Sequence, residues 1–225
     1  MARSAPQSAL RYPLTIALGS ESNVRVLREL SRHGGELAAP ELVMRTKLAA
    51  SSVHSALLAL EGIGVVEGVG STRSRVYRLQ RRFALNAMIE TLFGEEERRY
   101  GAILDEFKSA AEDQGPGVLA VWLYGSVARG ADRPGSDVDV VVVVNNDPAR
   151  FAGAMQTRLQ TAEETWQFRA SLVVITLQDV GRLRDAGDHW WTNVTGQAKI
   201  LLGPGPSDLV LPGPTAERRV REGKH

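Results

Sequence analysis

The sequence contains no cysteine. That excludes a disulfide framework, a Cys-ligated zinc or iron–sulfur site and a thiol nucleophile, and it fits a reducing compartment. Long apolar runs are missing too. No stretch reaches the roughly 18 residues that cross a bilayer. The N-terminus, MARSAPQSALRYPL, lacks the apolar core of a signal peptide, so no membrane partner and a cytoplasmic location are expected. Nor is there a surplus of one charge, since 27 Lys/Arg against 26 Asp/Glu leave a formal net charge of +1. What is present is an ordinary globular composition, 43% hydrophobic and 24% charged with 22 Gly and 10 Pro in 225 residues, which speaks against disorder or a collagen-like repeat. No internal repeat is visible, and the length suits two domains.

The near-neutral total hides an asymmetry. Residues 1–82 carry 12 Lys/Arg against 6 Asp/Glu, a net of +6, whereas residues 83–225 carry 15 against 20, a net of −5. A basic front part is suited to a polyanion, and an acidic rear part to a site that clusters carboxylates.

In the front part, Glu21 to His33 sets Val24, Leu27 and Leu30 at helical spacing before Gly34-Gly35 stops the pattern. Pro40 and Glu41 open a short second helix, with proline tolerated and acid favoured in a first turn. Ser51 is placed to cap a third, in which Val53, Leu57 and Leu60 share one face while Ser52, His54 and Ser55 share another. After Gly64 the period changes from 3.6 to 2. Val65-Val66-Glu67 and Arg75–Leu79 then flank the Gly/Ser-rich tip Gly68–Thr72, as in a β-hairpin. Three short helices followed by a hairpin resemble the winged helix-turn-helix of bacterial and archaeal regulators, over about residues 20–82. The resemblance implies double-stranded DNA as partner, with Ser51, Ser52 and His54 on the recognition helix and Arg73 and Arg75 on the wing reaching phosphates or a minor groove. The alternative is a winged helix used only for packing or dimerisation.

Residues 83–116 read as a helical connector. Phe83, Leu85, Met88, Ile89, Leu92 and Phe93 make Arg81 to Gly94 too apolar for a free linker. Glu95 to Ala111 then begins with three acids and sets Tyr100, Ile103, Leu104 and Phe107 on one stripe. Such a stripe serves equally as a packing face or as the seam of a homodimer.

In the rear part an apolar strand, Val118 to Tyr124, leads into Gly125-Ser126-Val127-Ala128-Arg129-Gly130. Ser136-Asp137-Val138-Asp139 then opens a run of five valines, Val140 to Val144, that reads as a buried strand. Asp137 and Asp139 stand two apart in extended chain, so their carboxylates leave one face and can hold one or two Mg²⁺ ions. Gly125 admits a triphosphate close to the backbone, and Ser126 offers a hydroxyl and an N–H at a helix start. This double motif resembles the signature of the polymerase-beta-type nucleotidyltransferases, especially the small minimal branch, over roughly residues 95–203. The resemblance implies that Gly125 and Ser126 contact the phosphates of a nucleoside triphosphate, with Arg129 either on a phosphate or holding its helix to the sheet. It further implies Asp137 and Asp139 as metal ligands and catalytic residues.

The family adds a third carboxylate from a neighbouring strand, near the start of Phe168–Thr176, where this chain has Ser171. Serine is a poor metal ligand and no base. Asp179 lies beyond reach and reads as part of a helix cap, whereas Glu163 and Glu164 precede the strand and could swing in as a substitute. Of the two adjacent tryptophans, Trp190 and Trp191, one is expected in the core and the other at an interface or beside the nucleotide cleft.

The expected fold class is therefore α+β, with a winged helix-turn-helix at 20–82, the connector, a nucleotidyltransferase fold with a small mixed sheet at 117–203 and a flexible tail at 204–225. The expected function is DNA binding joined to Mg²⁺–nucleotide binding and transfer to a hydroxyl. Its rivals are a regulator that only senses nucleotide and an antitoxin acting on a partner toxin of the HEPN type.

Overall fold

The computed structural model describes residues 7, 8, 11, 20–71 and 74–209. The chain divides into two compact units: one runs to Ile103 and takes in Gly130–Ser136, the other comprises Leu104–Arg129 and the chain from Asp137 on.

The first unit begins its described helices with α1 (Glu21–His33), whose apolar spacing buries Val24, Val26 and Leu30. Gly34, at φ 68°, ends it by donating its N–H to the Leu30 carbonyl. A two-residue strand, β1 (Leu37–Ala38), has no signal in the sequence; it is too short for an alternating pattern and exists because β3 pairs with it. α2 (Ala39–Thr46) carries Pro40 in its first turn, and the Glu41 carboxylate accepts from the Ala38 N–H. α3 (Ala50–Gly62) buries Val53, Ala56, Leu57 and Leu60. The strands β2 (Val66–Val69) and β3 (Val76–Leu79) follow, so Gly68 and Val69, expected in the hairpin tip, extend the strand instead. The sheet order is β1-β3-β2, antiparallel throughout, and Leu37, Leu42, Leu57, Val66 and Leu79 share one core.

α4 (Asn86–Glu112) is a single helix of 27 residues. Gly94 does not interrupt it. One glycine costs a helix about 1 kcal/mol, which good helix formers on both sides and the burial of Phe93 and Glu96 outweigh. Arg28 of α1 meets Glu96 in a buried two-pronged ion pair, Nε–Oε2 2.6 Å and Nη2–Oε1 3.1 Å, with its guanidinium 5.4 Å from the Phe93 ring centre.

The second unit is built on four strands in the order β6-β5-β4-β7. They are β4 (Val118–Leu123), β5 (Val138–Val144), β6 (Ala170–Thr176) and β7 (Lys199–Leu202). β5 runs parallel to β6, whereas β4 is antiparallel to both β5 and β7, so the sheet is mixed. Every valine of β5 is buried, as a central strand covered on both faces requires. α5 (Gly125–Arg129) follows β4, and α6 (Pro148–Trp166) connects β5 to β6, its start capped by Asp147 accepting from the Arg150 N–H. α7 (Leu177–Asp185) and α8 (His189–Gln197) complete the unit. Ala120, Trp122, Val141 and Val143 form one sheet face, packed with Val180, Trp191 and Val194. Packed chain continues beyond Gly203: the Trp122 indole donates to the Pro204 carbonyl at 2.8 Å, and Leu209 is buried in the same cluster. Among the described residues no helix is long and apolar enough to cross a membrane.

Candidate functional site

Alternation along β5 puts Asp137 and Asp139 on the face that carries Val141 and Val143, at the end of the strand where that face opens. The two carboxylates lie close enough for the charge of Asp137 to act on Asp139. Asp137 is exposed and ion-pairs with Arg169 at 3.5 Å, a contact worth little between two solvated groups. Asp139 is half-buried. Burial pushes its carboxyl above the ordinary carboxylate range, Asp137 adds to the rise, and a hydrogen bond from Ser171 and the charge of Arg129 oppose it.

The turn after β4 presses on this carboxylate. Gly125 has φ +73°, and a Cβ there would lie 2.3 Å from Asp139 Oδ2. The turn is further fixed by the Tyr124 N–H, which donates to the Asp139 carbonyl at 3.0 Å. Ser126, half-buried, occupies the first turn of α5. Arg129 ends that helix, exposed, with Nη1 donating to Gln197 Oε1 at 2.5 Å. It is thus tied to α8 and also near enough to Asp139 to stabilise its charge.

Ser171 stands directly opposite Asp139 in the parallel register of β5 and β6. The other acids lie elsewhere. Glu163 Oε1 accepts from the Ala170 N–H at 2.7 Å, and Asp179 forms a reciprocal cap with Thr176, whose hydroxyl holds the Asp179 carboxyl below its ordinary range. Among the described residues there is no group of three or more His, Asp or Glu side chains placed to hold a metal. A pair of carboxylates still suits Mg²⁺, which commonly takes one or two from protein and the rest from water and substrate phosphates. The same pair, beside a backbone with no Cβ in the way, suits a polyphosphate chelate.

Three neighbours were not assigned to the site by the linear motif. Arg169 reaches Asp137 because the register pairs Ala170 with Val138, a fact only the strand alignment reveals. Tyr124 and Trp190 meet edge to face with centroids 5.9 Å apart, and the indole of Trp190 bonds the Tyr124 hydroxyl. Burial, and less strongly Asp139, push that hydroxyl's pKa up. Trp191 is the core member of the tryptophan pair, 5.9 Å from Trp122.

With this geometry in place the comparisons are specific to one part of the chain. Residues 104–190 match the nucleotidyltransferase domain family. The match spans Gly125, Ser126, Asp137, Asp139 and Ser171, so the carboxylate pair and the turn lie within the matched segment. Two solved structures are similar over part of their length. A crystal structure of a toxin–antitoxin with AMP-PNP shares 20% identity over 45% of this chain and 73% of that one, with a TM-score of 0.33. A crystal structure of the toxin–antitoxin MntA-HpeT, in a mutant with two aspartates changed to glutamate, shares 19% over 47% and 77%, with a TM-score of 0.34. No curated protein matches the chain.

In the first unit, Ser51 and His54 are exposed and Ser52 is half-buried on the outer side of α3. Ser51 does not cap the helix. Lys47, at φ 53°, turns the chain early, the extended Ala49 takes the cap position, and its carbonyl accepts from the Ser52 and Val53 N–H groups, which leaves Ser51 inside the first turn. Arg75 is held by Glu61, Nη2–Oε1 2.6 Å, and lies 5.7 Å from the Tyr77 ring centre. Arg73 lies outside the described residues.

Proposed function

We propose that the nucleotidyltransferase domain binds a nucleoside triphosphate as its Mg²⁺ complex and passes the nucleotidyl group to a hydroxyl acceptor. The observation that carries this reading is the Asp139 carboxylate set against the Cβ-free backbone of Gly125. Asp137 and Asp139 hold the cation, while the N–H groups of the turn and the Ser126 hydroxyl orient the phosphates. The bound cation supplies charge neutralisation at the phosphates. The acceptor oxygen forms its bond to the α-phosphorus as the bond to pyrophosphate breaks. Its proton goes to water, because Ser171 beside Asp139 is no base. Incubation of the full chain with labelled triphosphates, Mg²⁺ and host lysate tests this by pyrophosphate release and by the labelled acceptor. Nucleotide binding with no release or transfer would leave only the second reading below.

The serine makes a specific prediction. Ser171→Asp adds an acid beside Asp139, so Mn²⁺ should bind measurably without nucleotide, followed by paramagnetic resonance. Turnover should also rise by at least about tenfold, a fraction of the hundredfold or more that a well-positioned base contributes. The parent should bind the ion appreciably only with the triphosphate. Tight binding of free Mn²⁺ by the parent would contradict the two-carboxylate account.

Ser171 also favours a second reading, in which the same pocket senses nucleotide without turnover. Here the first unit supplies the output. Its three helices beside a three-stranded antiparallel sheet support a winged helix-turn-helix, and a net +6 over residues 1–82 supports DNA as its ligand. Because Arg75 is already partnered by Glu61, its phosphate contact requires exchange of that ion pair. Replacing Arg73 and Arg75 by Ala should weaken duplex binding and flatten the dependence of log K on log salt by about 1 to 2. Superimposable salt titrations would rule out the wing contact.

A further inference from the structure

The starts of β5 and β6 lie side by side and carry charges of opposite sign. The Val138 N–H donates to the Arg169 carbonyl at 2.8 Å, and the parallel register continues with Val138 beside Ala170 and Asp139 beside Ser171. Alternation therefore gathers Asp137, Asp139, Arg169 and Ser171 on one face. The Arg169 side chain, 73% exposed, brings Nε to 3.5 Å from Asp137 Oδ1. A second guanidinium, that of Arg129, bears on Asp139 but is tied to Gln197 on α8.

The charge balance of this face is unusual for phosphate chemistry. Sites that use two metal ions meet the charge on the attacking and the leaving oxygens with cations about 3.5–4 Å apart. Such a pair needs shared anionic ligands to offset its repulsion. Here Ser171 stands opposite Asp139, Glu163 is committed to the Ala170 N–H, and Asp179 to the Thr176 cap. Among the described residues no group of three or more acids or histidines is placed to hold metal. Asp137 and Asp139 balance one dication, which leaves the charge of the phosphates to be met by side chains. Arginine is suited to that task, since its guanidinium is always charged and its paired N–H groups match phosphate oxygens.

We infer that Arg169 is a triphosphate-binding residue, whose guanidinium exchanges Asp137 for a phosphate oxygen and stands in place of a second metal ion. The exchange costs little, because the ion pair it gives up joins two solvated groups. Until then the same guanidinium competes with a bare cation for the Asp137 carboxylate. One side chain thus disfavours metal alone and favours metal that arrives with the triphosphate. The inference rests on the nucleotide reading and adds to it the number of cations and the residue that replaces the other.

The test uses the full chain, Mn²⁺ followed by paramagnetic resonance, and a nonhydrolysable triphosphate. The parent should take up a single ion per chain together with the triphosphate. Arg169→Gln should then move two affinities in opposite directions. Binding of the Mn²⁺–triphosphate complex should weaken at least about tenfold, as loss of one charge-assisted contact predicts. Binding of free Mn²⁺ should strengthen, because Asp137 has lost its competitor. Arg169→Lys keeps the charge and should recover part of the triphosphate affinity. Thermal unfolding of both variants should match the parent, so a change in the fold would not account for the split. Two ions per chain in the parent complex, or an Arg169→Gln chain that binds the triphosphate as the parent does, would overturn the inference and leave the nucleotide reading standing. A parent that binds no triphosphate with Mn²⁺ would bring down both.

Discussion

Replacing Asp139 by Asn should abolish Mg²⁺-dependent nucleotide binding and turnover, the latter by at least about a hundredfold, while leaving the domain as stable at neutral pH as the parent, or more so. The two effects have one origin. Burial raises the Asp139 carboxyl above its ordinary range, so the folded chain holds that proton more tightly than the unfolded chain does. The stabilising contribution of the protonated form is complete below the unfolded pKa and is lost as the pH rises through the higher folded value. Above that window an ionised, half-buried carboxylate is a net cost to the fold, and the neutral amide removes it. Thermal denaturation of parent and variant should therefore diverge in favour of the variant between acid and neutral pH. Metal chelation has the opposite preference, since it needs the carboxylate ionised. Affinity for the Mg²⁺–nucleotide complex should fall as the pH drops through the same window, and calorimetry in two buffers should detect proton release on binding. On the proposed function the costly charge is retained for its ligand. A variant that bound nucleotide and Mg²⁺ like the parent would break the link between this carboxylate and the chemistry. Asp137→Ala, at an exposed position whose ion pair among the described residues is with Arg169, should lose turnover with little change in stability.

The features of this site that are local in the chain could be read from the sequence, and those that depend on strand alignment could not. Asp137 and Asp139 share a face because residues two apart in extended chain must do so. The buried strand was legible in five consecutive valines, and the turn in a glycine followed by a helix start. Ser171 opposite Asp139 was reachable only by analogy, because register between β5 and β6 is set by the intervening α6 and the core beneath it. Arg169 escaped for the same reason, and the Tyr124–Trp190 contact could not be foreseen although Tyr124 adjoins the motif, because it depends on where α8 packs. Helix ends failed where tertiary contacts override local preference. Ala49 caps α3 without a side-chain oxygen because Lys47 has already reversed the chain, and Gly94 sits within α4 because its neighbours Phe93 and Glu96 are anchored. The two-residue β1 exists only as a complement to β3.

Gly125→Ala should be the most damaging conservative change in the second unit. Two penalties combine there. At φ +73° any L side chain is strained, at a cost of roughly 1–2 kcal/mol. The new methyl would also fall 2.3 Å from Asp139 Oδ2, so either the turn or the carboxylate must move. The site cannot absorb this without consequence, because the Tyr124 N–H ties the turn to the Asp139 carbonyl and Ser171 holds the carboxylate from the other side. Nucleotide affinity should therefore fall by more than the tenfold that about 1.4 kcal/mol represents. Gly130→Ala separates the two penalties, since Gly130 has a similar φ of +66° but open space around its missing Cβ. It should show the backbone cost alone. A double-mutant cycle isolates the contact itself: in an Asp139→Ala background the methyl meets no carboxylate, only the retained Cβ at 3.2 Å, and most of the excess of Gly125→Ala over Gly130→Ala should disappear. Equal losses for the two glycine variants in the parent chain would mean that the Gly125 turn does not bear on Asp139, and the pocket built from them would have to be abandoned.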